Sequence, residues 1–181
     1  MLPGMSPSHA VFRHVLDSPL GVLTLLASPR GLCGVRFPGG VPEADDVPFG
    51  GCLGEAAAQF RDYFAGTLRA FDLPLDPAGT PFQRAAWEVL RTIPFGTTIS
   101  YGEQACRLGD GRKARAVGAA NGRNPLPIVL PCHRVIGGDG TLVGFAAGTE
   151  TKAWLLRHEG AWLLRHEGIA PAGPRGSRRA R

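Results

Sequence analysis

A break at residues 76–81 constrains the fold of this chain more than any other feature. The segment Asp76-Pro77-Ala78-Gly79-Thr80-Pro81 holds two prolines and a glycine, which interrupt helices and strands alike. Short apolar runs separated by turns precede it, and apolar residues at helical spacing follow it. The 181 residues suffice for two small domains with cores of their own. We therefore predict an α/β protein with an N-terminal structural domain over 1–79, a second domain over 80–168, and a basic, disordered tail over 169–181.

The N-terminal region has the pattern of a small antiparallel sheet with one helix. Three aliphatic runs separated by turns that contain proline or glycine predict strands over Val11–Val15, Gly21–Ala27 and Gly31–Phe37. Apolar residues at helical spacing predict a helix over Glu55–Ala65. No pattern in this region indicates chemistry.

The second region is predicted to be mostly helical. Thr80 and Pro81 suit the N-cap and the first position of a helix. Two shorter helices, Tyr101–Arg107 and about Arg112–Asn121, are joined by a turn that contains glycine. Such a pair is a candidate helix-turn-helix, the motif that places its second helix on DNA.

The last of these helices is rich in small side chains, and two interpretations stay open. The small residues are Ala114, Ala116, Gly118, Ala119 and Ala120, with Arg112, Lys113 and Arg115 near the helix start. Small side chains let a helix approach a narrow nucleic-acid groove closely, with arginine reaching between bases or to phosphates. They could equally pack the helix against the protein core.

Charge is distributed unevenly along the chain. Residues 1–79 contain five basic and eight acidic side chains, a net charge of −3, whereas residues 80–181 contain fifteen and seven, a net charge of +8. This asymmetry favours a polyanionic partner for the second region, nucleic acid first. A generically basic protein is the alternative.

The segment Leu130-Pro131-Cys132-His133-Arg134-Val135 carries the strongest chemical signal. An apolar run over 128–130 predicts a buried strand that leads to the Cys-His pair, and we expect a short strand to carry the pair itself. A thiol attacks as thiolate, and a neighbouring imidazole raises the thiolate fraction near neutral pH. On this local pattern alone, Cys132 could also be a small buried apolar residue.

The other cysteines fit a structural role. Cys33, Cys52 and Cys106 have no adjacent histidine, no two cysteines form a CxxC pair, and no histidine has zinc-site spacing with a cysteine. The sequence therefore predicts no metal. With no signal peptide pattern and no apolar run long enough to span a bilayer, we expect a cytoplasmic protein without a membrane partner.

Seven short motifs occur in one order along the second region. They are Pro81-Phe82-Gln83, Ile93-Pro94-Phe95-Gly96, Ile99-Ser100-Tyr101, Ala114-Arg115-Ala116-Val117-Gly118, Asn124-Pro125, Pro131-Cys132-His133-Arg134-Val135, and Trp154-Leu155-Leu156 leading to Glu159. With these motifs the chain resembles the O6-alkylguanine-DNA alkyltransferases, which repair DNA by direct reversal. The match is close over residues 80–160 and loose over the N-terminal region.

The resemblance implies a reaction and a partner. The partner would be double-stranded DNA containing O6-alkylguanine, bound through its minor groove. The damaged base would be flipped out, because its O6 carbon is unreachable inside a duplex. The alkyl group would pass irreversibly to Cys132, once per protein molecule and without a cofactor. O4-alkylthymine is a second candidate substrate, and we expect a monomer.

The resemblance also assigns roles to residues. Cys132 is the nucleophile, His133 the base acting through a bound water, and Glu159 the group that orients His133. Tyr101 would rotate the nucleotide and then donate to the base, and Asn124 would brace the turn around the cysteine. The DNA contacts are Arg115, which fills the gap in the base stack, with Tyr101, Ala114, Arg112, Lys113, Ala116, Gly118 and Arg123. The substrate pocket is Pro127, Val135, Phe145, Ala146, Ala147 and Gly148.

Two features depart from the family pattern. The pocket loop reads Phe145-Ala146-Ala147-Gly148, where the family has Tyr-Ser-Gly-Gly or Tyr-Ala-Gly-Gly. We expect the Ala147 methyl group to narrow the pocket, so that bulky O6-benzyl groups react more slowly. In addition, the octad Ala153–Gly160 recurs unchanged as a second octad, Ala161–Gly168. Eight residues rotate a helix by about 80° beyond two full turns, so only one octad can have the catalytic register. The spacing from Cys132 in the family assigns that register to Glu159 rather than Glu167.

Three other functions fit the residues less well. A non-catalytic relative that only binds alkylated guanine would lack Cys132. A Cys-His hydrolase or acyltransferase would need an oxyanion hole, which cannot be read from this sequence. A plain helix-turn-helix regulator leaves the Cys132-His133 pair unexplained.

Overall fold

A three-stranded antiparallel sheet opens the fold. The computed structural model describes residues 12–39 and 50–160. Strands β1 (Phe12–Leu16), β2 (Leu23–Ser28) and β3 (Gly31–Arg36) pair in that order. In the first turn, Gly21 donates its N–H to the Ser18 carbonyl at 3.0 Å and has a φ of 90°, which glycine adopts without strain. The predicted sheet is confirmed.

One helix covers this sheet. Helix α1 (Leu53–Phe64) buries Ala56, Phe60 and Tyr63, and it packs on β1 and β2. Burying a side chain as large as Phe60 stabilises the fold by about 1.5–3 kcal/mol. The N-terminal region is therefore the predicted sheet with its helix.

The second region begins with a helix that is capped as predicted. In helix α2 (Pro81–Arg91), Thr80 Oγ1 accepts the Gln83 N–H at 3.3 Å, and Gln83 Oε1 accepts the Thr80 N–H at 2.9 Å. Such a cap contributes about 1 kcal/mol. On the buried face, the Trp87 indole N–H donates to the Ala120 carbonyl at 2.9 Å, which joins α2 to a later helix.

The helix-turn-helix is present. Helices α3 (Tyr101–Arg107) and α4 (Ala114–Asn121) flank a 3-10 turn at Gly111–Lys113. Gln104 and Asn121 exchange two buried amide hydrogen bonds, of 2.8 and 3.2 Å, and Gln104 also donates to a carbonyl of α2. Leaving either amide unpaired would cost about 1–3 kcal/mol, so the pair stabilises the arrangement of the three helices.

The prediction of a buried strand over 128–130 is wrong. These residues form turns, in which Leu130 donates its N–H to the Leu126 carbonyl at 2.8 Å and Ile128 has a φ of 77°. The reason is that prolines lack the N–H groups that a strand ladder needs. The prolines of this segment are Pro125, Pro127 and Pro131.

The Cys-His pair lies just before a strand rather than within one. Residues Cys132–Arg134 form a 3-10 turn, and the short strand β5 (Val135–Ile136) follows directly. β5 pairs in parallel with β4 (Ile99–Ser100), and helix α5 (Gly148–His158) ends immediately before Glu159. The predicted fold class is confirmed, with this change in where the pair sits.

The two predicted domains share one hydrophobic core. Leu25 of the sheet, Trp87 of α2 and Leu155 of α5 belong to a single cluster of buried side chains. The Val35 N–H of β3 donates to the Pro125 carbonyl at 2.8 Å, so the sheet touches the segment that leads to the cysteine. The boundary at residue 79 stays a prediction.

Some predicted segments lie outside the described residues. They are the start of the first predicted strand at residue 11, the second octad and the tail. Within the described part of the chain, no helix is long and apolar enough to span a membrane.

Candidate active site

Cys132 begins the 3-10 turn and is buried, with a relative exposure of 4%. Asn124 Nδ2 donates to the Cys132 Sγ at 3.2 Å and to the Leu130 carbonyl at 2.7 Å, while its Oδ1 accepts the Leu126 N–H at 2.9 Å. Burial raises the pKa of the Cys132 thiol, although the Asn124 hydrogen bond and the charge of Lys152 oppose it. The thiol is therefore protonated at neutral pH, and its attack needs a base.

His133 supplies a neutral ring beside this thiol. It is fully buried, and its Nε2 lies 2.8 Å from Glu159 Oε1. Burial lowers the pKa of His133 and outweighs the opposing effect of Glu159. The ring is therefore uncharged at neutral pH and can accept a proton.

The protonation state of Glu159 fixes which nitrogen of His133 accepts. Burial by itself would raise the pKa of Glu159, but hydrogen bonds and charges from His133 and Arg134 hold it well below its usual range. An ionised carboxylate can only accept hydrogen bonds, so His133 carries its proton on Nε2. Its Nδ1, buried and without a hydrogen-bond partner among the described residues, is then the basic atom.

Three further groups donate to Glu159. Two of them, the side chains of Arg134 and Tyr63, were not predicted from the sequence. Arg134 donates from Nε to Oε2 at 2.8 Å and from Nη2 to Oε1 at 3.0 Å. The Tyr63 hydroxyl donates to Oε1 at 2.8 Å, and the Gly96 N–H to Oε2 at 3.3 Å. Arg134 had a signal, because a buried arginine in an apolar motif needs a carboxylate. Tyr63 had none, because it lies far away in sequence on a helix whose pattern indicates packing.

Tyr101 and Lys152 connect the pocket loop to the site. The Tyr101 hydroxyl donates to the Val143 carbonyl at 3.0 Å, and burial, then the charge of Cys132, raises its pKa to about 12. Lys152 is fully buried and donates from Nζ to the carbonyls of Val135 and Val143, each at 2.6 Å. Burial lowers the pKa of Lys152 to about 8. Lys152 could not be recognised from the sequence, because a lone lysine in a polar helical stretch predicts an exposed position.

The predicted pocket residues lie on β5, on the loop before α5 and in the turns before Cys132. Val135 and Pro127 are buried. Phe145 is half-buried and meets Phe37 edge-on, with ring centroids 5.9 Å apart. Ala147 is also half-buried, whereas Ala146 and Gly148 are exposed.

Most of the predicted DNA contacts lie on α4, in the 3-10 turn before it or just after its end. Arg112, Lys113, Arg115, Ala116 and Arg123 are exposed, and Ala114 and Gly118 are half-buried. Val117 and Ala120 turn inward. The core-packing interpretation holds for Ala120, whereas Ala116 and Ala119 are exposed, and their approach to DNA stays a prediction.

Comparisons with known proteins identify the family. A family model described as 6-O-methylguanine DNA methyltransferase, DNA binding domain, matches residues 81–161, and one described as the ribonuclease-like domain of the same proteins matches residues 11–77. A methylated-DNA–protein-cysteine methyltransferase of Methanosarcina acetivorans is 43% identical over 154 residues, which cover 81% of this chain and 97% of the relative. The chain belongs to this methyltransferase family.

Two further relatives extend the match. A methylated-DNA–protein-cysteine methyltransferase of Mycobacterium leprae is 44% identical over 147 residues, covering 80% of this chain and 89% of the relative. The crystal structure of Mycobacterium tuberculosis OGT in complex with DNA superposes with a TM-score of 0.77 at 44% identity, covering 83% of this chain and 94% of that one. This methyltransferase therefore repairs DNA by transferring an alkyl group to a cysteine, and the predicted family, enzyme class and DNA partner are confirmed.

The comparisons leave the individual residues to be tested. Which side chains react, bind DNA or form the pocket stays a prediction. In the ranges 12–39 and 50–160, no group of three or more histidine, cysteine or acidic side chains is arranged to hold a metal ion.

Proposed function

We propose that Cys132 is the cysteine that receives the alkyl group and that the O6 atom of guanine is its source. The observation that carries this proposal is the surroundings of Cys132. Asn124 donates a hydrogen bond to its sulfur, and the next residue, His133, is hydrogen-bonded to Glu159. The other three cysteines are also described, and none is next to such a pair. Burial above all raises the pKa of Cys33 to about 11, which favours an inert thiol there.

In the proposed reaction, the Cys132 sulfur bonds to the alkyl carbon as the bond from that carbon to O6 breaks. The thiol proton passes to His133 Nδ1 through a water, and Glu159 stabilises the resulting imidazolium. The electron pair of the broken bond stays with the guanine, which takes a proton from the Tyr101 hydroxyl. Solvent then returns a proton to Tyr101, and His133 releases to solvent the proton that it accepted. A thioether is stable in water, so each protein molecule reacts once, and the step uses no cofactor.

The proposed route of the base to Cys132 is through the minor groove. Helix α4 would enter that groove, where exposed Ala116 allows close approach and Arg115 fills the gap left by the flipped base. Arg112, Lys113 and Arg123 supply positive charge nearby, and Ala114 and Gly118 allow close packing. Gly118 is close to the Tyr101 ring, where a Cβ would lie 3.7 Å from it, so the helix and the flipping tyrosine are adjacent.

The proposed pocket recognises guanine mainly through the backbone. The backbone groups of Cys132 and Val135 would bond the edge of the base, and the Ala146 N–H would donate to O6. Phe145, Ala147 and Gly148 would form the wall, with Pro127 behind. O4-alkylthymine carries its alkyl group on a similarly placed oxygen, and we propose it as a second substrate.

Intact-mass spectrometry after incubation with duplex DNA containing O6-methylguanine tests this function. We expect a gain of one methyl group per molecule, located on Cys132 by peptide mapping. Cys132→Ser should gain no methyl group, whereas Cys106→Ser should react like the parent protein. Methylation of another cysteine, or removal of the lesion by Cys132→Ser, would refute the proposal.

A further inference from the structure

Tyr63 occupies a position that packing alone does not explain. It is fully buried on α1, and its ring contacts the rings of Phe64, Phe71, Phe95 and His158 at centroid distances of 5.1–6.3 Å. A phenylalanine would fill this aromatic cluster equally well. The hydroxyl, however, reaches across from the N-terminal region and donates to Glu159 Oε1 at 2.8 Å.

The Tyr63 hydroxyl shares its acceptor with His133, the proposed base of the reaction. Oε1 of Glu159 accepts from Tyr63 at 2.8 Å, from His133 Nε2 at 2.8 Å and from Arg134 Nη2 at 3.0 Å. Each donor withdraws negative charge from the same oxygen. The stronger the other two donors, the less Glu159 can stabilise a positive charge on His133.

Resting on the proposed function, we infer that Tyr63 is a positioning residue of the alkyl-transfer site. Its hydroxyl holds the Glu159 carboxylate at His133 Nε2 and limits how strongly that ring holds a proton. A base that held its proton too tightly would stay charged and could not accept one from the Cys132 thiol. The N-terminal region thereby takes part in the chemistry through one side chain.

The charged and titratable groups that face His133 and Glu159 come from several elements. Arg134 follows His133 in the same turn, Lys152 lies on α5, and both charges oppose protonation of His133. Cys132 precedes His133 in the chain, and His158, also on α5, donates from Nε2 to the Tyr63 carbonyl at 2.7 Å. None of these groups is changed when only the Tyr63 hydroxyl is removed.

Tyr63→Phe tests the inference, because it keeps the ring and removes the hydroxyl. The rate of a single methyl transfer is measured against pH, and the protonation of His133 is followed by 15N NMR of its ring nitrogens. We expect the pKa of His133 and the acid limb of the rate profile to move up together by about 0.5 pH unit. The rate on the alkaline plateau should fall by about tenfold, because the carboxylate is held less firmly.

Phe71→Leu is the matched control. It weakens the same aromatic cluster but leaves the hydrogen bond to Glu159 in place, so its acid limb should not move. An unchanged acid limb in Tyr63→Phe, or an equal shift in Phe71→Leu, overturns the inference. Because the NMR titration needs no alkyl transfer, it tests Tyr63 even if methylation of Cys132 is not found.

Discussion

At the scale of single residues, we predict that Ala147 limits the size of the proposed pocket. It is half-buried at the N-terminal end of α5, where the family pattern has glycine. Removing one methyl group from a fitted pocket wall changes discrimination by about tenfold. Ala147→Gly should therefore speed the reaction with O6-benzylguanine about tenfold and leave the rate with O6-methylguanine DNA within about twofold. Equal benzyl rates in the two proteins, measured by single-turnover kinetics, would show that the methyl group does not narrow the pocket.

Glu159 and Glu167 occupy the same position in the two octads, so substituting each in turn shows which one the reaction needs. Glu159 accepts hydrogen bonds from His133, Arg134 and Tyr63, whereas Glu167 lies outside the described residues. Glu159→Gln should reduce methyl transfer by at least about 100-fold, the usual contribution of an oriented general base. Glu167→Gln should react within about twofold of the parent.

The Glu159 substitution also removes a buried charge partner, so its folding is measured alongside its rate. We expect Glu159→Gln to lose about 3 kcal/mol of stability, because Arg134 remains buried without its carboxylate. Rates are therefore compared at a temperature at which circular dichroism shows both variants folded. If Glu167→Gln is the inactive variant, the catalytic register belongs to the second octad.

At the scale of elements, helix α4 is expected to affect the rate of alkyl transfer only when the target base must be flipped out of duplex DNA. Arg115 is exposed on this helix. Arg115→Ala should slow methyl transfer from duplex DNA by about tenfold, because no side chain then fills the gap in the base stack. Its reaction with free O6-benzylguanine should be unchanged, since a free base needs no flipping. Arg84→Ala, which removes the same charge from an exposed position on α2, should leave both rates unchanged; an equal loss there would indicate a general charge effect.

Elements were predictable from sequence where the deciding interactions are local. The cap of α2 involves residues three apart, so Thr80 could be recognised directly. The strand expected over 128–130 failed because apolar character alone does not distinguish a strand from buried turns, and the flanking prolines decided the outcome.

In the candidate site, too, the residues of local motifs could be predicted, whereas those brought in by packing could not. The motif residues Cys132, His133 and Glu159 lie together, as the family resemblance implied. Tyr63 and Lys152 were not predicted, because their roles depend on which elements pack together. A tyrosine in an aromatic helix face and a lysine in a polar stretch look structural until the fold brings each to a buried acceptor.

At the scale of the whole molecule, Glu159 joins the N-terminal and C-terminal regions. It accepts from Tyr63 on α1 and from His133 and Arg134 in the 3-10 turn Cys132–Arg134, and His158 beside it donates to the Tyr63 carbonyl. The core is continuous across the same boundary. The two regions should therefore unfold together rather than one after the other.

The stability of the protein at low pH should depend on the same contacts around Glu159 that join the two regions. The pKa values of Glu159 and His133 are both lower in the folded protein than their ordinary values. In the unfolded chain these groups titrate near pH 4.3 and 6.5, so on acidification the unfolded state binds more protons than the folded one. Stability should consequently be highest above about pH 6.5, decline below it as unfolded His133 becomes protonated, and fall further below about pH 4.3 through Glu159.

Urea unfolding at a series of pH values measures the effect. We expect the parent midpoint to fall between pH 7 and pH 3, and the decline below about pH 4.3 to be shallower in Glu159→Gln, which has no carboxyl to protonate. Hydrogen exchange at low pH should show amides of β2 and α2 losing protection at the same pH. Protection that persists in β2 after α2 has opened would mean that the two regions are separate folding units, and that the bonds to Glu159 do not couple them.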